Sequence, residues 1–343
     1  MSDSPVVVVA PNWLGDAVMA LPAIADVRRH FAPAPLTVAA RRSVADLFRM
    51  VPGVDSVLVL EWNGAWWRRR ALNEDAIRLR ETGTATAILL PNSFSSALLP
   101  TRAGVADIWG YASDLRTRLL SRAVPRPKTP LHQGDYYQHL VRELGIETGP
   151  LEPLLSIPAA AVIDARALLA DRGWDSVSPL IVLAPGAAYG KAKQWIPSYV
   201  VRLVTDLSRD RHATCALVGS RADAATTAAI RAAVPRDSRS RVLDLAGTTT
   251  LPVLAAILSL SRTCVANDSG AMHLAAAAGV PVVAIFGSTN ERATRPLARG
   301  NVRAEVLTHP VWCRPCMLRE CPIDHRCMTG IEPGQVLAAI DRV

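Results

Sequence analysis

At 343 residues the chain is too long for a typical single domain, and half of it is hydrophobic against 20% charged. That balance excludes a disordered polymer and supports a sizeable core, most naturally divided between two domains. The net charge of +8 comes without a basic run long enough to form a tail or arm, so no nucleic-acid partner is expected.

The opening MSDSPVVVVAP lacks a basic n-region and a cleavage site, so nothing marks it for export. The longest apolar stretch, residues 272–287, is under transmembrane length and carries His273. A cytoplasmic protein is the expectation. Divided at residue 157, the first part carries +2 and the remainder +6. An anionic small molecule or an anionic membrane surface suits that excess as well as a polynucleotide would. Of the 38 basic residues only Lys128, Lys191 and Lys193 are lysines, which singles out the two that sit together.

Apolar, β-branched runs predict strands at residues 6–10, 36–39, 57–60 and 86–90. A second series follows at 180–184, 214–218, 242–245, 264–266 and 282–286. Between them, stretches such as 16–30 and 199–210 carry apolar residues at helical spacing. Continuous rather than alternating apolar strands belong to sheets covered on both faces, the pattern of a doubly wound α/β fold. The series restarts after the Pro-rich stretch 149–158, predicting Rossmann-like domains at 1–157 and 158–343. Ligands in such folds bind at the carboxyl ends of the strands.

Four motifs stand at those ends or near the C-terminus. Pro11-Asn12-Trp13-Leu14-Gly15-Asp16 leads into the first helix; Asp16 there is either a proton acceptor for a hydroxyl or a residue of a helix cap. Pro185-Gly186-Ala187-Ala188-Tyr189-Gly190-Lys191-Ala192-Lys193 suits a phosphate, although Ala192 after Lys191 breaks the P-loop pattern. Asn267-Asp268-Ser269-Gly270 precedes an Ala-rich helix. Asp268 or Ser269 is expected to cap it, and Gly270 lets an anion approach the helix N–H groups. Cys313, Cys316, Cys321 and Cys327 lie within fifteen residues and read as a structural zinc site, a reduced cluster or a local disulfide. No DxD-type metal motif is seen, so no cofactor is required; a structural zinc enters only under the first of the three cysteine readings. Trp62-Asn63-Gly64-Ala65-Trp66-Trp67-Arg68-Arg69-Arg70 joins tryptophans to arginines ahead of a helix through Arg80. It suits a lipid headgroup interface or an ordinary amphipathic surface.

Together with Pro91-Asn92-Ser93-Phe94 and Ala192-Lys193-Gln194-Trp195, and on through His273, these motifs resemble the ADP-heptose:lipopolysaccharide heptosyltransferases, in particular the branch that adds the second core heptose. The cysteine cluster also looks like that branch. The resemblance implies a GT-B fold, with two Rossmann-like domains facing across a cleft. The acceptor would bind on the N-terminal side and ADP-heptose on the C-terminal side. It implies inverting transfer of heptose to the heptosyl-Kdo-lipid A inner core, by an enzyme peripheral to the cytoplasmic face of the inner membrane. Carried over by position, Asp16 is the catalytic base. Lys193, Asp268, Ser269, Gly270, His273 and Gly186 are on the donor side, and Asn12, Asn92 and Ser93 on the acceptor side. The chain departs from the family in having Ser95 and Ser96 after Phe94, where a lysine is common, with Arg102 nearby. A nucleotide-sugar epimerase of the same fold and a non-catalytic nucleotide-binding protein are the competing readings.

Overall fold

The computed structural model describes residues 4–65 and 67–343. The chain divides into two compact units, Met1–Ser156 and Ile157–Val343. The first holds a sheet of six parallel strands: β1 (Val6–Val9), β2 (Leu36–Arg41), β3 (Ser56–Leu60), β4 (Thr86–Leu89), β5 (Asp107–Tyr111) and β6 (Arg122–Val124). The second holds β7 (Leu180–Ala184), β8 (Thr214–Leu217), β9 (Val242–Asp244), β10 (Thr263–Asn267), β11 (Val282–Phe286) and β12 (Ala304–Thr308). Their orders are β3-β2-β1-β4-β5-β6 and β12-β11-β10-β7-β8-β9. Counted from its own first strand, each sheet has the same 3-2-1-4-5-6 order of a dinucleotide-type fold.

The order follows from burial. The four valines of β1 are buried, as are all five residues of β7, so each must lie at the centre of a sheet with helices on both faces. Val7 and Val8 are fully shielded, and burying such side chains contributes about 1.5–3 kcal/mol each. β1 pairs β2 and β4, aligning Val6 with Leu36 and Thr86. β7 pairs β8 and β10, aligning Ile181 with Cys215 and Thr263. The core of the first unit gathers Val7, Val9, Leu72, Leu79, Leu89 and Ile108. The second gathers Leu183, Leu203, Val204, Leu207, Val265 and Ile285.

Three strands, β5, β6 and β12, were not expected from the sequence. The predicted helix at 16–30 is two helices, Leu14–Met19 and Leu21–Phe31, joined at Ala20. Among the described residues no helix is long and apolar enough to cross a membrane.

The fold places the motifs. In each sheet the strand order reverses between the first and fourth strands, and chains leaving those two strands turn to opposite sides, opening a crevice at their carboxyl ends. Asn12–Asp16 leaves β1 and Asn92–Ser93 leaves β4. Gly186–Lys193 leaves β7 and Asp268–Gly270 leaves β10. All four loops therefore stand at a topological switch point of their own sheet.

Candidate functional site

In the second unit, β11, β10 and β7 are neighbours, so the loops that follow them converge. Asn267, the last residue of β10, is buried and staples the loop of β7. Its Nδ2 donates to the carbonyls of Pro185 (2.7 Å) and Gly186 (3.3 Å), and its Oδ1 accepts from the Trp195 N–H (3.1 Å). Lys193 ends a short 3-10 turn within that loop. Its Nζ lies 2.7 Å from Asp268 Oδ2, and the Tyr189 ring centroid is 4.9 Å away. The Thr289 hydroxyl, on the loop after β11, donates to the same oxygen at 2.7 Å. Asp268 and Thr289 are buried, where charge-assisted hydrogen bonds are strong and well aligned.

The helix Gly270–Ala277 begins beside this cluster, with Ser269 at the N-cap position. The expected cap bond does not form. Asp268 is turned to Lys193 and Thr289, and Ser269 makes no side-chain cap bond. The hydroxyls of Ser269 and Ser288 are buried without a hydrogen-bond partner. The first-turn N–H groups have no acceptor within the helix and stand at its positive end. Gly186 is needed sterically, since a Cβ there would lie 2.2 Å from Asp223 Oδ1. His273 is buried further along the same helix, and Lys191 is exposed. The structure thus brings together Lys193, Asp268, Ser269, Gly270 and Gly186. It adds Thr289, which the sequence reading did not single out, and gives Asn267 and Tyr189, named there only as motif residues, defined contacts. A lysine, a helix N-terminus and hydroxyl donors in one crevice can hold a diphosphate.

In the first unit, Asp16 lies in the first turn of Leu14–Met19. The phenol of Tyr137, on the helix Gln133–Glu143, is raised well above its ordinary pKa, first by burial and then by the Asp16 charge. Asn12 is exposed. Asn92 Oδ1 accepts from the Tyr136 hydroxyl at 3.3 Å, and its carbonyl accepts from Ser113 Oγ at 2.8 Å. Ser93 caps the helix Phe94–Ala103, its Oγ accepting from Ser96 N–H.

Arg102 lies at the far end of the helix Phe94–Ala103 from Phe94. It sits in the last turn of that helix and donates to Asn73 Oδ1. The cation beneath the loop is instead Arg116, wholly buried, whose guanidinium bonds the carbonyls of Tyr111, Pro91 and Ser93 and the Ser96 hydroxyl. Desolvation pulls its pKa down to about 10. Large apolar side chains crowd the same end of the sheet. Trp13, Trp67, Phe94 and Leu115, on the segments after β1, β3, β4 and β5, are 59%, 70%, 41% and 93% exposed.

One expectation changes. Of the three tryptophans before the helix Arg69–Glu81, Trp62 is core, with its indole N–H bonded to Ala65 O. Trp66 lies outside the described residues, and Trp67 alone is seen exposed. All six cysteines are free thiols in the structure. Cys313, Cys316 and Cys321 lie near enough to Cys327 that, after burial, their charges help to raise its thiol pKa. Among the described residues, however, no three His, Cys, Asp or Glu side chains are grouped to hold a metal ion.

The family described as Glycosyltransferase family 9 (heptosyltransferase) matches residues 76–326. Lipopolysaccharide heptosyltransferase 2 of Escherichia coli strain K12 is 30% identical over 302 residues, covering 85% of each chain. The protein of that name from Salmonella typhimurium is 29% identical over the same shares. Among solved structures, the ADP-heptose lps heptosyltransferase II of E. coli superposes with a TM-score of 0.83 at 25% identity, over 98% of each chain. The two parallel sheets are accordingly those of a GT-B fold.

Proposed function

The chain belongs to glycosyltransferase family 9, the heptosyltransferases, and from that premise we propose that it moves heptose from ADP-heptose to the heptosyl-Kdo-lipid A inner core, adding the second heptose of the lipopolysaccharide core. The observation that carries the donor side is the convergence of Lys193, Asp268, Thr289 and the Gly270 helix N-terminus at the switch point of the second sheet. The relatives named heptosyltransferase 2 support the choice of the second heptose.

The chemistry follows from the charges. Asp16 takes the proton of the acceptor hydroxyl as it attacks the anomeric carbon, while ADP departs from the opposite face. A single displacement inverts configuration. Negative charge grows on the departing diphosphate, where Lys193 and the helix N–H groups stabilise it through a preorganised set of donors. On this reading transfer proceeds without a divalent cation and persists in EDTA. Asn12, Asn92 and Ser93 serve the acceptor, and the exposed apolar rim with Arg68, Arg69 and Arg70 rests on the anionic membrane surface that carries it.

The test is incubation of the protein with ADP-heptose and either Kdo-lipid A or heptosyl-Kdo-lipid A. Release of ADP with a mass gain of one heptose is expected on the heptosylated acceptor alone. Transfer to Kdo-lipid A instead would make it a first-heptose enzyme. Consumption of ADP-heptose without acceptor would favour the epimerase reading.

A further inference from the structure

Residues 309–331 form a strap across the two loops that supply the partners of Asp268, and it touches the lysine loop at Tyr189, Gly190 and Ala192. Ala192, immediately before Lys193, is buried, and both its main-chain groups are taken by the strap. Its N–H donates to Arg319 O at 2.9 Å, and its carbonyl lies 2.9 Å from His325 Nε2. Because a carbonyl oxygen only accepts, Nε2 must carry the proton and donate. The Tyr189 hydroxyl donates to Met317 O at 2.7 Å, and Gly190 lies so close to the strap that a Cβ there would stand 2.3 Å from Arg319 O. On the other side, the Met317 N–H donates to Ser288 O at 2.8 Å and Arg314 Nε to Gly287 O at 2.7 Å. The strap is therefore anchored to the loop of Thr289 while it holds the loop of Lys193.

We infer that His325 is a positioning residue for Lys193, fixing the ammonium through the Ala192 carbonyl. Among the described residues no other strap side chain donates a hydrogen bond to this loop, although the Arg319 guanidinium lies 5.4 Å from the Tyr189 ring centroid. His325 also adopts a left-handed backbone (φ 57°, ψ 29°), uncommon for a residue with a side chain and retained only where its surroundings demand it. Without the imidazole, the Ala192 carbonyl loses its partner in a buried place, and the 3-10 turn Lys191–Lys193 is released at one end. Lys193 then spends less time where the leaving diphosphate needs it. This inference rests on the donor-site reading of Lys193.

The experiment is a double-mutant cycle read by ADP-heptose affinity and by kcat and KM, with thermal unfolding as the control on folding. His325→Ala should lower kcat by about 10–100-fold, the scale of a small misplacement of a catalytic group. His325→Gln, whose amide N–H reaches nearly as far as Nε2, should recover most of it. Added to Lys193→Ala, the His325→Ala change should cost less than about twofold further, since both act through one group. A full independent loss in the Lys193→Ala background, a Gln variant no better than Ala, or wild-type kinetics in His325→Ala each overturn the inference. If His325→Ala does not fold, His325→Asn, which tolerates the left-handed backbone, enters the same cycle. Wild-type behaviour of Lys193→Ala itself would instead remove the donor-site reading, so the two failures are distinct.

Discussion

Lys191 and Lys193 are two residues apart, yet only one has been given a place. Lys193 meets Asp268 at 2.7 Å under the Tyr189 ring, while Lys191 faces solvent. Lys193→Ala should therefore lower kcat by ~10²–10³-fold, as loss of one preorganised donor does, and Lys191→Ala should leave steady-state kinetics nearly unchanged. Equal losses in the two would show a diffuse basic loop. Asp16 is a different kind of residue, needed for a proton rather than a charge. Asp16→Asn keeps the shape and removes the acceptor, so ADP-heptose affinity should persist while turnover falls by ~10²–10⁴-fold; wild-type kcat in that variant would require another base. Arg116 acts by holding main chain. Its guanidinium satisfies carbonyls of Pro91, Ser93 and Tyr111, and removing it leaves buried acceptors unpaired. Arg116→Ala should cost about 3 kcal/mol in urea unfolding, and Arg116→Lys should recover only part, because an ammonium cannot span several acceptors as the planar fork does.

Among the elements, the uninterrupted apolar strands were legible, the edge strands β3 and β9 included, while β5, β6 and β12 were not. β1 and β7 are uninterrupted apolar runs because both their faces are buried. β5 reads poorly because Asp107 and Gly110 break its run, and the structure supplies the reason for the glycine. A Cβ at 110 would stand 3.1 Å from Arg116 and 3.2 Å from Leu89. β12 is a half-exposed edge strand, so its apolar signal is diluted. The same division holds in the candidate site. Asp268 and Lys193 stood out as charged residues in suggestive loops, but Thr289 and His325 join them only through tertiary contacts across 21 and 133 residues, which no local pattern encodes. The segment from Trp62 to Arg80 was legible in type but not in detail. Asp75 accepts the N–H groups of Glu61 and Trp62 and fixes the start of the segment, turning Trp62 inward. Arg68, Arg69 and Arg70 stay exposed beside Trp67. Arginines near an anionic surface contribute about 1 kcal/mol each, a scale suited to reversible attachment. Reversing their charge should cut co-sedimentation with anionic vesicles and activity on micellar acceptor, while sparing ADP-heptose affinity. Unchanged vesicle binding at low salt would leave this helix an ordinary surface element.

At the scale of the whole chain, one architecture is used twice for two kinds of chemistry. The strand orders are the same, and each sheet presents a pair of loops at its own switch point. What differs is the side chains mounted there: Asp16 alone as the charged group on the loop of β1 in the first unit, and a lysine paired with Asp268 beside an uncapped helix N-terminus in the second. Each unit also has its own hydrophobic core. In the second, the helix Ala159–Asp171 packs on Leu251–Leu260, and the last helix, Pro333–Arg342, packs on Pro197–Asp210. Every contact described for Lys193, including the strap through His325, lies within residues 157–343. That unit should therefore fold alone, since a domain with its own core and closed chain ends needs no neighbour to be stable. Expressed as residues 157–343, it should unfold cooperatively and keep its affinity for ADP-heptose, because the described contacts of Lys193 and Asp268 all lie within it. It should transfer no heptose to any acceptor, because Asp16 is absent. Titration calorimetry with ADP-heptose and the mass assay on heptosyl-Kdo-lipid A measure the two halves of this expectation separately. A folded fragment that fails to bind would place an essential donor contact in residues 1–156, and the division of labour drawn from the two switch points would be wrong.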